Sequence, residues 1–456
     1  MTSSPPPLGT PPPLKKRSGN KGWLTAALIL VLLIGLSVLF VPLMLKLDTR
    51  DLPEPPDDGD LLVRADPIPD EENAFHFYIL AANATQVSEA DIDRLYEFDE
   101  SSPEYGAVLE DLHAKNEEAF EYYHRALAAP HAQAPIILSY EEDTGLDNAP
   151  TEDLLHLVYL RIRQRFLAGE QARALSDALD LALLGRKLMD SGGITYLYLE
   201  ASDLHYYGLE TFIDLIGEAT GPSAELRPFG ARIDVLYDDG SGLAAALRAE
   251  YPLLVTELEG FAAASFENTE DMPDLMRALA EAAARQSANV YQINRMKTEL
   301  TESLRPLIAD AHLSLNAMRL DALQEEGFGI RDGLSAVSPA GLSRLMVQSM
   351  LPFLRDSIEA KCDMNTLTSV ARAKLALKIH HLEHGAIPQS LDELIPELLT
   401  AVPLDDFDGQ AIRYDAQRQL LYSVGLDFVD TGGSDPELGY EAEDPAWALD
   451  FANAEP

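Results

Sequence analysis

The sequence predicts a mainly α protein. Its parts are a single N-terminal transmembrane helix, a multi-helix domain built as antiparallel hairpins or an irregular solenoid, and a small α+β C-terminal module with a short antiparallel sheet. Three observations predict this. Residues 23–45 hold no charged side chain. Apolar residues recur at helical spacing over much of 73–384. Beyond Gly385 the text changes to short apolar runs set between turn residues such as Asp408-Gly409.

The chain has 456 residues, of which 34 are basic and 76 acidic, for a formal charge of −42. At 46% hydrophobic and 24% charged it has a globular composition, not that of an acidic disordered tail. The charge is unevenly placed. Lys15, Lys16, Arg17, Lys21, Lys46 and Arg50 stand against only Asp48 in the first fifty residues, so the remainder is more acidic than the total suggests. A body this negative repels phosphate backbones, which argues against nucleic acid as a partner. The lone Cys362 excludes an intrachain disulfide and any Cys-rich zinc or iron–sulfur site, and reads as a buried or half-buried thiol.

Taken in order, residues 1–22 form a basic tail with a doubled motif, Pro5-Pro6-Pro7-Leu8 and Pro11-Pro12-Pro13-Leu14, suited to an extended polyproline spacer. Residues 23–45 are long enough to span a bilayer, because a helix of about 20 apolar residues satisfies its own backbone there. The run exceeds a signal-peptide core and ends Pro42-Leu43-Met44-Leu45-Lys46 without a small-residue cleavage site, so it reads as an uncleaved anchor. The basic residues before it keep the N-terminus in the cytoplasm and send the bulk across a bacterial inner membrane. Residues 46–72, rich in Pro and Asp, read as an extended linker.

Residues 73–365 read as an acidic helical extracytoplasmic domain. Pro103 opens a helix that ends before Pro130, and Asn148-Ala149-Pro150-Thr151-Glu152 announces the next. Leu154, Leu157 and Leu160, then Leu175, Ala178, Leu181 and Leu184, keep helical spacing, with Gly169 and Gly192-Gly193 as stops. Further helices are expected over 222–237, 242–264, 273–325 (interrupted at Pro306) and 338–384. Residues 366–435 read as the α+β module. Gly385 ends its helix, Ser390 and Glu393 form a capping box, and 411–414 and 419–424 are strands. The tail, 425–456, reads as acidic loop, its last part 436–456 lying outside the module.

The C-terminal module carries a likeness. The run from Leu375 through Gly385-Ala386-Ile387-Pro388-Gln389-Ser390-Leu391-Asp392-Glu393-Leu394, then Pro403-Leu404-Asp405-Asp406-Phe407-Asp408-Gly409, Leu421-Tyr422-Ser423-Val424-Gly425-Leu426-Asp427 and Asp430-Thr431-Gly432-Gly433, resembles the globular head of type II secretion major pseudopilins. It is also similar to the tail of uncharacterised membrane-anchored proteins of planctomycete- and verrucomicrobia-type bacteria, whose helical body 158–262 resembles loosely. Asp406 stands where that tail usually has proline, and Ala27 where a pseudopilin carries glutamate. The resemblance implies a fold for the tail and no activity.

Two segments suggest chemistry. Asp427, Asp430 and Asp435 lie in the loop that binds calcium in major pseudopilins, so the resemblance implies a calcium site there; a solvated acidic loop is the alternative. His380-His381-Leu382-Glu383-His384 matches H-x-x-E-H, in which His380 and His384 would hold zinc and Glu383 would be the general base. At a helix end those histidines equally complement the last carbonyls. The aromatic clusters at 75–78, 122–124 and 205–207 read as core or pocket lining. The function expected is a non-catalytic envelope scaffold or interaction protein with the bilayer and an envelope protein as partners, connected to secretion or surface assembly by fold-level analogy alone. The alternatives are a zinc hydrolase and a ligand-binding helical sensor domain.

Overall fold

A computed structural model describes residues 51–62, 66–98, 102–142, 144–146, 149–263, 292–323, 339–436 and 443–451. The apolar run at 23–45 and the basic tail before it lie outside these residues. Among the described residues no helix is long and apolar enough to cross a membrane.

The segment expected as an extended linker is, over 51–62, docked on the body. The Asp51 carboxylate accepts the backbone N–H groups of Asn294 and Arg295 at 2.8 and 3.0 Å. These belong to the first turn of the helix Ile293–Asp310, whose N–H groups have no partner within the helix and favour an anion. Asn294 Nδ2 donates to Leu52 O at 2.8 Å, Tyr251 OH donates to Asp58 Oδ2 at 2.7 Å, and Leu61 is buried.

The helical body begins with α1 (Ala74–Ala84), α2 (Glu89–Tyr96), α3 (Pro103–Lys115) and α4 (Glu117–Ala128). Asn73 caps α1 by accepting from Phe75 N, and Ser88 with Asp91 forms a capping box on α2. The single helix expected from Pro103 to Pro130 is broken at Asn116. That side chain is buried and takes the N–H and carbonyl of Gln86 at 2.6 and 3.0 Å, which fixes the kink between α3 and α4. α1 packs along α4.

Next come α5 (Thr151–Leu167), α6 (Gln171–Met189) and α7 (Thr195–Glu218), separated by Gly169 and Gly192 in left-handed conformations. α6 and α7 form the most extensive helix pair. Two glycines permit their approach. A Cβ on Gly185 would sit 2.3 Å from His205 N, and one on Gly208 2.4 Å from Ala182 N. Two short helices, α8 (Ser223–Leu226) and α9 (Phe229–Asp234), replace the one expected over 222–237, the break falling at Pro228.

Then follow α10 (Ser241–Ala263), α11 (Ile293–Asp310), α12 (Pro339–Met350) and α13 (Leu354–His384). Pro306 lies inside α11 rather than interrupting it. The helix expected over 338–384 is broken around Pro352, between α12 and α13. α13 is the axis of the molecule. It packs on α7, α9 and α10, and its middle is buried on every side, polar residues included.

After Gly385, in the left-handed region as expected of a helix stop, the Ser390–Glu393 capping box opens a 3-10 turn, Leu391–Leu394. Three short strands follow: β1 (Arg413–Asp415), β2 (Leu420–Tyr422) and β3 (Ala446–Ala448), antiparallel in the order β1-β2-β3. β3 arises from the tail read as loop; Leu421 is paired with Trp447. The protein is therefore mainly helical with a small antiparallel sheet. One hydrophobic cluster runs from Leu61 to Leu449, and α13 passes without a break through 365–366.

Candidate functional site

Three places gather polar side chains. The first is buried where α13 meets the turn at 405–408. Lys361 is wholly buried and pairs with Asp406 Oδ2 at 2.7 Å while donating to Leu313 O at 2.8 Å. Asn365 Nδ2 donates to the same carboxylate at 3.0 Å, and Tyr237 OH to its other oxygen at 3.0 Å. Asp405, also wholly buried, receives Arg413 at 2.8 Å, Val424 N at 3.0 Å and Thr366 Oγ1 at 3.2 Å. Asn365 further joins Asp238, which takes Arg186 at 3.2 Å and Tyr198 OH at 3.2 Å. Burial pushes the Asp406 carboxyl and the neighbouring Cys362 thiol up. Every charged group here meets an opposite charge at close range, which is what an interior site demands. The network joins the C-terminal module to the helical body.

The second place is the end of α13. His380 and His384 stack with ring centroids 4.2 Å apart, and each Nδ1 lies 3.0 Å from a backbone carbonyl, that of Ala386 and that of His380. Glu383 turns instead to Arg227, which donates to it at 2.8 and 2.9 Å. Its carboxyl is held below the usual range by bonds to Ser223 and Arg227. A carboxylate so held is a poor proton acceptor. The histidines are the carbonyl-bonding helix end of the simpler reading.

The acidic loop that follows is ordered differently from the expectation. Asp427 accepts from Val429 N at 2.8 Å and Asp430 from Gly432 N at 3.1 Å, each closing its own turn, while Asp435 is exposed. The organising carboxylate is the buried Asp444, which takes Thr431 N, Thr431 Oγ1 and Gly433 N within 3.0 Å. The Arg418 guanidinium takes the carbonyls of Gly432 and Gly433, the kind of oxygen a calcium ion would need. Among the described residues no three His, Cys, Asp or Glu side chains are grouped to hold a metal ion. Among the described residues, then, neither Asp427, Asp430 and Asp435 nor His380, Glu383 and His384 are gathered into one metal-holding group.

The third place was not foreseen. Between α5 and α7 runs a groove made of two adjoining cavities of about 550 and about 270 Å3, which share Tyr159, Thr211 and Asp214. The wider part is walled by Glu152, Asp153, Glu210, His156 and Tyr207 and, among the described residues, by no Lys or Arg. Burial pushes His156 down, so it is neutral at neutral pH. Burial pushes Glu210 and Asp214 up, and with the nearby Glu200 and Glu152 it raises Asp203 to about 6. The narrow part ends at Lys374 of α13, with Arg163, Glu218 and Asp450 at its sides, Arg163 donating to Glu218 at 2.6 Å. Lys374 is only 5% exposed, and burial drives its amine down to about 8. Asp214 and Asp450 attract it, yet among the described residues no ion pair within 4.0 Å or hydrogen bond reaches it.

Helix geometry explains the place. Gly217 and Glu218 close α7, Lys378 donates to Gly217 O at 3.0 Å, and Lys374 stands one turn earlier on α13, beside the same negative helix end. The sequence signals were faint. The aromatic cluster at 205–207 contributes Tyr207, but nothing in the text of α13 distinguishes Lys374 from a solvent-facing lysine.

Comparison with protein-family models, with curated proteins and with solved structures finds no match to this chain.

Proposed function

We propose that the chain is a non-catalytic, membrane-anchored envelope protein: a rigid acidic scaffold carried on the outer side of a bacterial inner membrane. The observation that supports this best is the docking of 51–62. Only residues 46–50 separate the apolar run from Asp51, which caps α11. Five residues reach about 17 Å when fully extended. A span at 23–45 therefore holds the body close to the bilayer, with the N-terminal end of α11 facing it. The Lys361–Asp406 network supports the same reading, since it joins tail and body into one piece suited to presenting a fixed surface to a partner. The likeness of the tail to pseudopilin heads suggests a place in secretion or surface assembly.

The test is topological. An enzyme active only outside the cytoplasm, fused after Pro456, is expected to be active, and a cytosol-dependent reporter at the same place silent. The reverse pattern, or a mature chain beginning beyond Leu47, overturns the proposal.

A further inference from the structure

We propose that the segment 134–138, between α4 and α5, is an open backbone edge that takes up one extended strand of another protein, apolar in its middle and flanked by lysine or arginine at both ends. Such a strand is the partner contact of the interaction role proposed above, and only its source in the envelope rests on that reading.

Residues 132–138 run without helix, turn or bend. Both ends are held. Asn73 takes Gln133 N at 2.9 Å and gives its amide to Gln133 O at 2.8 Å, and Ala134 N donates to Ser191 O at 3.1 Å. At the far end Glu142 N donates to Ser139 O at 3.0 Å, Leu138 N to Glu142 Oε2 at 3.3 Å and Tyr140 OH to Glu250 at 3.1 Å. Between these ties the backbone is unused. The N–H groups of Ile136 and Ile137 and the carbonyls of 134–138 have no hydrogen bond among the described residues. Successive residues of an extended chain direct these groups to opposite edges, so Ala134, Ile136 and Leu138 share one edge.

The side chains point the same way. Ile137 is buried and pins the segment, while Ile136, Leu138 and Tyr140, alternating with it, are 58%, 45% and 55% exposed. Large apolar groups beside unpaired backbone make the kind of edge that proteins otherwise cover or charge. A lipid surface leaves those backbone groups unpaired, whereas an added strand satisfies them.

Charge selects the strand. Asp66, Asp70, Glu71 and Glu72 lie exposed at one end, tied there by His131 N to Glu72 O at 3.2 Å and by Gln133 Nε2 to Asp66 O at 3.1 Å. Glu141 and Glu142 lie exposed at the other end. None of these carboxylates has an ion pair among the described residues. A second copy of so acidic a chain is repelled, and basic flanks are attracted. Because the segment is held straight beforehand, little ordering cost opposes binding.

The experiment titrates the detergent-extracted full chain with synthetic peptides and reads calorimetry and hydrogen exchange. The probes are Lys-Lys-Thr-Val-Thr-Val-Thr-Lys-Lys, the same peptide N-methylated at its central residues, and the same peptide with glutamate for lysine. The first is expected to bind with a Kd of about 0.1 mM or tighter and to slow exchange in 134–140, and each of the others to bind at least about tenfold more weakly. Ile136→Pro removes a free N–H and no bond within the chain, and is expected to weaken the lysine peptide about fivefold or more. Should that variant fail to fold, Leu138→Lys, on the exposed face, carries the same expectation. Equal binding of the methylated peptide shows attraction by charge alone and overturns the proposal. Unchanged affinity in the variants, protection elsewhere in the chain, or no binding overturns it as well. Protection of 134–140 by phosphatidylcholine vesicles, or by raised protein concentration without peptide, assigns the edge to lipid or to a second copy and likewise overturns it. None of these outcomes bears on the topology test, which reads where the C-terminus lies.

Discussion

Asp406 concentrates the chemistry of the molecule at a single side chain. Its two oxygens receive an ammonium, an amide and a phenol, and its backbone N–H donates to Thr366 Oγ1 at 3.0 Å. Removing one partner of a buried pair leaves the other charge without water or counter-charge, a loss of about 3–5 kcal/mol. Asp406→Ala is therefore expected to lower stability by about that amount, read as the denaturation midpoint of the detergent-extracted chain. The double change Lys361→Met with Asp406→Leu removes both charges together and is expected to be less damaging than Asp406→Ala. Additive losses in the double variant would show that the two side chains act separately. In the sequence Asp406 was visible only as a residue standing where the resembling tails have proline. Its partner Lys361 lies on another element, so the pairing was not legible.

At the scale of the helices, small residues set how near two elements come. Gly185 and Gly208 bring the backbones of α6 and α7 together, and Ala178, Ala182 and Ala201 are buried around them. Gly208→Ala places a methyl against the α6 backbone at Ala182, where no side chain can swing aside. It is expected to cost about 1–3 kcal/mol by overpacking, despite the better helix propensity of alanine. A thermal midpoint unchanged or raised by Gly208→Ala would contradict the close packing.

The same scale shows what the text could reveal. Apolar periodicity, Gly169, Gly192 and Gly385 located α5, α6, α7 and the end of α13, because local spacing and turn chemistry decide those features. The break at Asn116 escaped notice because a buried side chain, bonded to Gln86 thirty residues away, makes it. Strand β3 escaped because three residues pair only through a distant β2. The docking of 51–62 escaped because Pro- and Asp-rich text looks the same free in solvent or capping a helix. The groove was least legible: its walls come from α5, α7 and α13, and its charge pattern exists only after they pack.

Across the whole molecule, excess acid makes stability depend on pH. The clearest case is Asp363 on α13, whose carboxyl burial and the nearby Glu359 raise to about 7, from an ordinary value of 3.8. No hydrogen bond or ion pair among the described residues offsets this. A carboxyl with a raised folded-state pKa binds its proton more tightly in the folded protein. Its contribution to stability is complete below about pH 3.8 and is lost as pH rises through about 7. Asp203, at about 6, acts in the same direction at slightly lower pH. His205 and His113 oppose them. Burial lowers these to about 3 and about 4, so their contribution is present above 6.5 and fades as pH falls toward those values. Because several groups titrate together, the pH profile of the wild-type chain alone would not isolate one of them. Comparison with Asp363→Asn does, since the variant cannot ionise at that position. At pH 8 the variant is expected to be the more stable. The difference should shrink steadily as pH falls from about 7 and become small only near pH 3.8, where the side chain is neutral in the unfolded chain too. A difference in thermal midpoint that stayed constant from pH 8 to pH 5 would show that Asp363 is not held in a site that resists its charge.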